Sequence, residues 1–344
     1  MKPWRALVLC FGAFAAQGHA ATTPKACPRD QSGGHGGTGI ALYHGYLYAE
    51  SNDRIVREEL AATAACPSAD APALAEAVHH TFWVVKGAHN TVYLLGSVHV
   101  LKPADSDLPP EALRAYTSAK ALIMEIDLNN AAEDSLLSGQ LSIANLPEGQ
   151  TLAAALGPDA YGRFAAYAKT LGLDPEFFSP FQPWFAAMAL QQAEFEQQGF
   201  EAGSGVDEQF AERAAADHKP IIALETVAQQ LGMFASLSSD QQRRFLLYTL
   251  DDAQNSEHDA EAVVSAWRAG DVKKLESLLS DSYAQYPELF TMLTTDRNRQ
   301  WLPTIAQLLQ QDQDYLVIVG ALHLVGKDGV VQMLQRAGYQ PVQH

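Results

Sequence analysis

The chain has 344 residues, with 23 lysines and arginines against 40 aspartates and glutamates, which gives a formal net charge of −17 at pH 7. A surface of this charge repels nucleic acid and anionic lipid, so we expect neither as a partner. Hydrophobic residues make up 47% of the chain. That is enough for a large buried core, so the composition indicates a globular protein and not a disordered acidic one.

Residues 1–20 have the pattern of a secretory signal peptide. Lys2 and Arg5 precede an apolar run over residues 6–16, and Ala20 ends a small-x-small cleavage site. The run is too short to cross a membrane as a helix, and no later segment has the roughly 18 unbroken apolar residues that crossing needs. We therefore expect a secreted or periplasmic protein that is cut after Ala20 and has no membrane span.

Residues 21–75 predict a flexible amino-terminal arm. The segment lacks sustained hydrophobic periodicity and contains the glycine-rich sequence GGHGG at residues 33–37. Cys27 and Cys66 are the two cysteines that remain after signal cleavage. An oxidising compartment favours a disulfide between them. The alternative is two unpaired cysteines in the arm.

The ordered domain is expected over residues 76–344. It begins with two strands, FWVVKG at residues 82–87 and TVYLLG at residues 91–96, which a tight polar turn joins into a β-hairpin. A helix is predicted next, over about residues 110–119, with proline in the first turn where it fits. The apolar run ALIMEID, at residues 121–127, predicts a further strand.

The rest of the domain alternates helical blocks with strands. Residues 130–215 and 226–310 are predicted to be mostly helical, while PIIALE at 220–225 and DYLVIVG at 314–320 predict buried strands. A last helix, at residues 329–336, precedes a short terminal strand. Strands separated by helices imply an α/β fold with a mixed, largely parallel sheet. The long helical blocks imply a helical cap inserted over that sheet.

Two of the predicted strands end in the same Gly-x-x-His pattern. The sequence GSVH ends at His99, and GALH ends at His323, 224 residues later. Open α/β sheets bind their ligands at the carboxyl ends of parallel strands, and neutral imidazole is the commonest protein metal ligand. The pair therefore predicts a divalent metal site, although each histidine taken alone fits a structural, hydrogen-bonded role better.

Carboxylates end two further predicted strands, at Glu125 and Glu225. A buried carboxylate is costly unless it is paired, hydrogen-bonded or bound to metal, so a structural ion pair or a helix cap is the alternative for each. Alternation along ALIMEID also places Asp127 on the face of Glu125. Two histidines with one or two carboxylates suit Zn²⁺, Mn²⁺, Co²⁺ or Fe²⁺.

A metal site of this composition predicts hydrolytic chemistry. Such an ion lowers the pKa of a bound water, and a nearby glutamate can take the proton. An anionic intermediate also needs a positive group, and Arg297 is the basic residue expected to supply it. A serine hydrolase is less favoured, because the chain lacks a Gly-x-Ser-x-Gly elbow around Ser97 or elsewhere.

An ordered set of motifs resembles the TraB/GumN family, which includes the Tiki proteases. Its segments are GSVHVLKPADSDLPPEAL, ALIMEID, GVDEQF, PIIALETVAQQL, WRAGD, RNRQW and VGALHLVGKDGVVQMLQRAGY, and the match covers about residues 81–342. The two Gly-x-x-His motifs of the family map onto His99 and His323, and its strand glutamate maps onto Glu125. Its Leu-Glu-Thr segment contains Glu225 here, and its Arg-Asn pair begins at Arg297.

The resemblance implies a metal-dependent hydrolase of peptide bonds, with an α/β fold akin to that of erythromycin esterase-like proteins. His99, His323 and Glu125 are then the metal ligands. Glu125, Glu225 and Arg297 are the catalytic residues, with the choice of glutamate as ligand or base left open. The chain differs from Tiki proteases in its amino-terminal arm and in having no membrane anchor. The alternative function is a non-catalytic protein that sequesters a peptide, a metal or haem.

Overall fold

The structure is a computed structural model. It describes residues 40–43, 46–51, 54–58, 80–131, 141–252, 256–283 and 287–344. These residues fall into two units, one within residues 17–77 and one that contains residue 80 and everything described after it. The predicted signal peptide and the two cysteines of the predicted disulfide, Cys27 and Cys66, lie outside the described residues.

Three short strands form an antiparallel sheet in the smaller unit: β1 (Ile40–Tyr43), β2 (Tyr46–Ser51) and β3 (Arg54–Glu58). Each pairs with its neighbour in sequence. The lack of sustained hydrophobic periodicity predicts a flexible arm here and no strand. The three segments contain tyrosine, isoleucine and valine, which favour strands. The dipeptides between the segments contain Gly45 and Asn52, residue types that are common in two-residue hairpin turns. The prediction of an arm without strands did not take this pattern into account.

The larger unit contains a six-stranded sheet with the order β7-β6-β8-β5-β4-β9. Its strands are β4 (Phe82–Lys86), β5 (Thr91–Ser97), β6 (Ala121–Met124), β7 (Ile221–Ala223), β8 (Tyr315–Gly320) and β9 (Val342–Gln343). β4 pairs antiparallel with β5 and β9, while β5, β6, β7 and β8 run parallel to one another. The predicted α/β class with a mixed, largely parallel sheet is confirmed.

Helices follow most of the strands. Their bounds are Pro110–Ser118, Leu128–Ala131, Leu152–Leu156, Pro158–Thr170, Pro183–Gln197, Val206–Ala216, Val227–Ala235, Ser239–Asp252, Ser256–Arg268, Val272–Tyr283, Pro287–Phe290, Asp296–Leu308, Ala321–Leu324 and Val330–Arg336. Short 3₁₀ turns lie at Pro103–Asp105, Leu141–Ala144, Pro175–Phe178 and Ala202–Ser204, and a π-helical turn at Thr291–Thr295. No helix among the described residues is long and apolar enough to cross a membrane.

The helical blocks are packed into the hydrophobic core. The helix Pro183–Gln197 buries Trp184 and Phe195. The indole of Trp184 stacks on Phe234, whose ring centroid is 5.7 Å away, and Phe234 stacks in turn on Phe245. Central strand β8 is fully buried from Leu316 onward. The large aromatic contacts explain why these helices form one core instead of separate surface helices.

The carboxyl ends of the parallel strands meet at one edge of the sheet. Glu125 follows β6 directly, and Glu225 lies two residues beyond β7. The backbone N–H of Glu225 donates to the carbonyl of Glu125 over 2.9 Å, so the two strand ends stay paired as far as the carboxylates. The histidines of the two Gly-x-x-His motifs follow β5 and β8. The sheet therefore brings the predicted site residues to a common edge.

Candidate active site

Arg297 lies between the two strand-end glutamates. Its side chain is 1% exposed. Nε donates to both oxygens of Glu225 over 3.0 Å, and Nη2 donates to Oε2 of Glu125 over 2.5 Å. Burial acts to lower the pKa of Arg297, but the charges and hydrogen bonds of the two glutamates outweigh it and raise the pKa above its ordinary value. The guanidinium is therefore a permanent positive charge in the network.

Both oxygens of Glu125 accept hydrogen bonds. Oε1 accepts the backbone N–H of Gly320 over 2.8 Å. Oε2 accepts Nη2 of Arg297 and, at 3.3 Å, Nε2 of Gln230. These donors offset the desolvation of a carboxylate that is 5% exposed. Glu125 thus links the end of β6 to the glycine of the second Gly-x-x-His motif.

Glu225 is held by an indole donor as well as by the guanidinium. Trp301 Nε1 donates to Oε1 of Glu225 over 2.9 Å, in addition to the two bonds from Arg297. The ring of Trp301 also lies against Arg297, with the guanidinium carbon 4.7 Å from the ring centroid. Arg297 and Trp301 are four residues apart on the helix Asp296–Leu308, so they share one face of it. The two residues and Glu225 therefore form a fixed unit.

His323 has a defined tautomer. Nδ2 of Asn298 donates to the carbonyl oxygens of His323 and Asp328, which leaves Oδ1 of Asn298 as the acceptor for Nδ1 of His323 at 2.7 Å. Nη1 of Arg297, which can only donate, lies 3.0 Å from Nε2 of the ring. The proton is therefore on Nδ1 and the lone pair on Nε2.

His323 is also neutral. Burial, followed by the charge of Arg297 and by His99, holds the pKa of His323 well below its ordinary value. The contribution of His99 means that the second imidazole lies within electrostatic range. His323 is 1% exposed, so the carboxyl-terminal edge of the sheet is covered by other parts of the protein at this residue.

His99 is anchored by a residue that the sequence analysis did not assign. Nδ1 of His99 lies 2.7 Å from Oδ2 of Asp207, and the hydroxyl of Ser97 donates to Oδ1 of the same carboxylate over 2.9 Å. Asp207 lies in the first turn of the helix Val206–Ala216. The described bond of the Ser97 hydroxyl thus goes to the aspartate.

Glycines allow the motif loops to approach each other. A Cβ atom on Gly96 would lie 2.6 Å from the Thr81 methyl and 2.9 Å from Cα of Ala321, the residue after the second motif glycine. A Cβ atom on Gly205 would overlap the carbonyl oxygen of His99. The first motif is therefore in direct backbone contact with both the second motif and the helix that carries Asp207.

A pocket of about 320 Å³, counting space open to solvent, opens beside these residues. It is lined by His99, Met124, Glu125, Ile126, Leu128, Asp207 and Gln230. The carboxylate of Glu125 and the imidazole of His99 thus face one cavity with an apolar wall. The space that the centre of a water molecule can occupy is about 20 Å³, so a water or an ion fits there beside the acidic group and the ring.

The structure joins most of the predicted site residues. Glu125, Glu225, Arg297 and His323 form one contact network, and His99 shares the pocket with Glu125. Asp127 is different: β6 stops at Met124, and the described bond of Asp127 is to the backbone N–H of Asn129, at the start of the next helix. The expected sharing of one strand face by Glu125 and Asp127 is wrong, because the strand ends before either residue.

The donors suit a metal ion, but the contacts shown do not form a closed cage. No group of three or more His, Cys, Asp or Glu side chains in the described part of the chain is arranged to hold a metal ion. Both motif histidines nevertheless have Nδ1 bonded to a side-chain oxygen, as metal-binding histidines almost always do. Nε2 of His323 is the atom that would bind, and Nη1 of Arg297 would have to move from it.

Comparison with known proteins identifies the family. The sequence profile of the TraB/PrgY/gumN family matches residues 81–343. The chain belongs to this family. The match includes the whole six-stranded sheet and every residue of the network, so the resemblance inferred from the motifs is confirmed.

Curated relatives cover most of the chain. "Uncharacterized protein YbaP" of Escherichia coli (strain K12) is 28% identical over 243 residues, which are 71% of this chain and 87% of that protein. The protein of the same name in Shigella flexneri gives the same values. An "Uncharacterized protein" of Treponema pallidum (strain Nichols) is 23% identical over 290 residues, or 79% and 86% of the two chains. No solved structure matches the chain.

Proposed function

We propose that the chain is an exported metal-dependent hydrolase, a peptidase that uses metal-activated water. One observation carries the proposal: the two motif histidines have oxygen-anchored Nδ1 atoms and lie at the same sheet edge as the buried carboxylate of Glu125. His99, His323 and Glu125 would hold the ion. When bound, Zn²⁺, Mn²⁺, Co²⁺ or Fe²⁺ supplies a water of lowered pKa.

The charges of the site support a divalent cation as its ligand. Glu125, Glu225 and Asp207 carry three negative charges, and Arg297 carries one positive charge. His323 is neutral, and a metal-bound His99 would be neutral too. In that state the group would have two surplus negative charges in or beside a largely buried network. Buried charge without a partner is unfavourable. A divalent ion would neutralise the surplus, whereas an apolar ligand would not.

The two glutamates support different roles. Glu225 accepts from Arg297 and Trp301 and is not among the residues that line the pocket. It holds the guanidinium in place. Glu125 does line the pocket, so it is the carboxylate that can contact substrate, as a ligand or as the base that takes a proton from water.

Arg297 supports the stabilisation of negative charge. Its pKa is raised and its position is fixed by Glu225 and Trp301, so it needs little reorganisation when charge develops nearby. A tetrahedral intermediate of peptide hydrolysis carries such a charge. A protein that only sequesters a ligand does not require a fixed guanidinium next to two carboxylates and an imidazole, which favours the hydrolase over the binding protein.

The test is cleavage of a diverse peptide mixture by full-length protein, read by mass spectrometry. The protein is freed of metal with a chelator and then loaded with Zn²⁺, Mn²⁺, Co²⁺ or Fe²⁺ in separate reactions. We expect cleavage that the chelator abolishes, and a loss of at least about 100-fold in Glu125→Gln. Glu148→Gln, at an exposed loop position, should keep full activity.

Folding of the Glu125→Gln variant is checked first by circular dichroism. Both oxygens of Glu125 accept hydrogen bonds. The amide nitrogen of glutamine would face one of these donors and could destabilise the fold. Absence of cleavage with all four metals by wild-type protein would reject the hydrolase. Stoichiometric metal or haem binding in that case would favour the non-catalytic binding protein instead.

A further inference from the structure

Asp207 connects the helical part of the domain to the first Gly-x-x-His motif. It is 6% exposed and lies in the first turn of the helix Val206–Ala216. The backbone N–H of Val206 donates to the carbonyl of Val98 over 2.9 Å. Gly205 has no room for a Cβ atom because the carbonyl oxygen of His99 lies there. The start of this helix is therefore fixed directly against the backbone of the histidine loop.

The carboxylate of Asp207 has both oxygens directed at that loop. Oδ1 accepts the Ser97 hydroxyl at 2.9 Å and Oδ2 lies 2.7 Å from Nδ1 of His99. An ionised carboxylate can accept hydrogen bonds but cannot donate them. Nδ1 of His99 must then carry a proton, and in the neutral ring the lone pair lies on Nε2.

The two motif histidines thus reach the same protonation pattern by different routes. In His323, an amide oxygen of Asn298 holds the Nδ1 proton. In His99, the carboxylate of Asp207 does so, and it comes from a helix more than one hundred residues away in sequence. Ser97 fixes the second oxygen of Asp207, so the carboxylate cannot easily rotate away from the ring.

We propose that Asp207 is a positioning residue that fixes the Nδ1–H tautomer of His99 and so makes Nε2 its ligand atom. The consequence for metal binding rests on the proposed function, but the tautomer itself does not. Without Asp207, the ring can turn or exchange tautomers, and the Nε2–H form cannot bind a metal ion through that nitrogen. Residues in this position typically change metal affinity by about 10- to 100-fold.

The tautomer is measured by nitrogen NMR of metal-free, full-length protein with ¹⁵N-labelled histidine, above the pH at which imidazole titrates. The His99 signals are assigned by their loss in His99→Gln. We expect Nδ1–H in the wild type, and a mixture with the Nε2–H form in Asp207→Ala, which has no side-chain acceptor for the Nδ1 proton. A dominant Nε2–H form in the wild type would overturn the proposal, even if no Asp207 variant folds. So would an unchanged tautomer in folded Asp207→Ala.

Zn²⁺ affinity provides the second readout, measured by competition with a chromophoric chelator. Asp207→Ala should weaken binding by about 10- to 100-fold. Glu208→Gln is the matched control, because it removes a negative charge from the adjacent position of the same helical turn. It should stay within about twofold of the wild type. Equal losses in the two variants would mean that charge alone matters and would overturn the positioning role.

The two proposals fail in different ways. If the wild-type protein binds no metal but Asp207→Ala shows the expected tautomer change, the positioning role stands and the metal-dependent hydrolase is rejected. If the wild-type protein binds Zn²⁺ tightly but the Asp207 variant shows no tautomer change, the hydrolase proposal stands and the positioning role is rejected.

Discussion

Nη1 of Arg297 lies 3.0 Å from Nε2 of His323 and can only donate to it. The interaction therefore requires a neutral imidazole, and it places a fixed positive charge beside the ring nitrogen that a metal ion would use. The same guanidinium bonds two carboxylates. Arg297 is thus the centre of the charge arrangement, and its removal affects stability and ligand binding together.

Arg297→Met should destabilise the protein by about 3–5 kcal/mol, because it leaves two buried carboxylates without their cation. Arg297→Lys keeps the charge but not the planar guanidinium, and should lower the free energy of unfolding less than Arg297→Met does. Urea unfolding followed by circular dichroism gives both values. Arg299→Met is the control, since Arg299 is 61% exposed and pairs only locally with Asp296. A loss below about 1 kcal/mol in Arg297→Met would contradict the buried ion-pair network.

The stability of the metal-free protein should fall as the pH is lowered through about 6.5. The pKa of His323 is held well below its ordinary value in the folded protein, whereas in the unfolded chain the imidazole takes a proton near pH 6.5. The unfolded state then binds more protons, so the free energy of unfolding decreases as pH falls. His323 alone should account for about 1.4 kcal/mol between pH 7.5 and 5.5.

The contribution of His323 is isolated by comparing the pH profiles of wild type and His323→Gln. The difference between their free energies of unfolding should shrink as the pH falls. His89→Gln, at an exposed turn position, should follow the wild-type profile. A constant difference across the range would show that His323 is not held neutral by the fold.

Gly205→Ala should weaken both stability and Zn²⁺ binding. A Cβ atom at this position overlaps the carbonyl oxygen of His99, so the helix start or the histidine loop must shift. Overpacking of this kind costs about 1–3 kcal/mol, and the shift also separates Asp207 from His99. Gly203→Ala is the matched control, because a methyl group there would have nothing within 4 Å. Thermal unfolding and chelator competition report the two effects, and a neutral Gly205→Ala would contradict the close approach.

Zn²⁺ binding should change the fluorescence of Trp301. The ring centroid of Trp301 lies 4.5 Å from that of His323 and 4.7 Å from the guanidinium carbon of Arg297. A metal ion that displaces Nη1 of Arg297 from the His323 ring therefore changes the surroundings of the indole. Zn²⁺ does not itself quench emission. Titration of metal-free protein should therefore show a saturable change that Trp301→Phe loses. Persistence of the full change in that variant would place the metal near another tryptophan.

Much of the site was predictable because it follows strand endings. Apolar runs that end in a histidine or a glutamate located Glu125, Glu225 and His323, and parallel strands bring such endings to one edge. The hairpin before His99 was predicted from its polar turn and is confirmed. These predictions needed only local patterns of hydrophobicity.

The remaining contacts of the site join residues that are far apart in sequence, and hydrophobic periodicity does not predict such pairs. Asp207 lies in the first turn of a helix in the block predicted as a cap, and its polar sequence GVDEQF is typical of an ordinary helix start. Its role depends on a contact with His99 across 108 positions of sequence. Asn298 and Trp301 were visible beside Arg297 in RNRQW, and helical spacing puts Arg297 and Trp301 on one face. Only the three-dimensional structure shows that this helix face contacts Glu225.

The order of strands also determines when the site can form. β8 lies between β6 and β5, and its last residue, Gly320, pairs with Ser97 at the end of β5. β8 is encoded near the carboxyl terminus, while its two neighbours are encoded in the first half of the chain. Glu125 has no Gly320 donor and His99 has no second imidazole until β8 is inserted between those strands. A nascent chain on the ribosome therefore carries the other site residues without the assembled centre, and the site is completed when β8 joins the sheet.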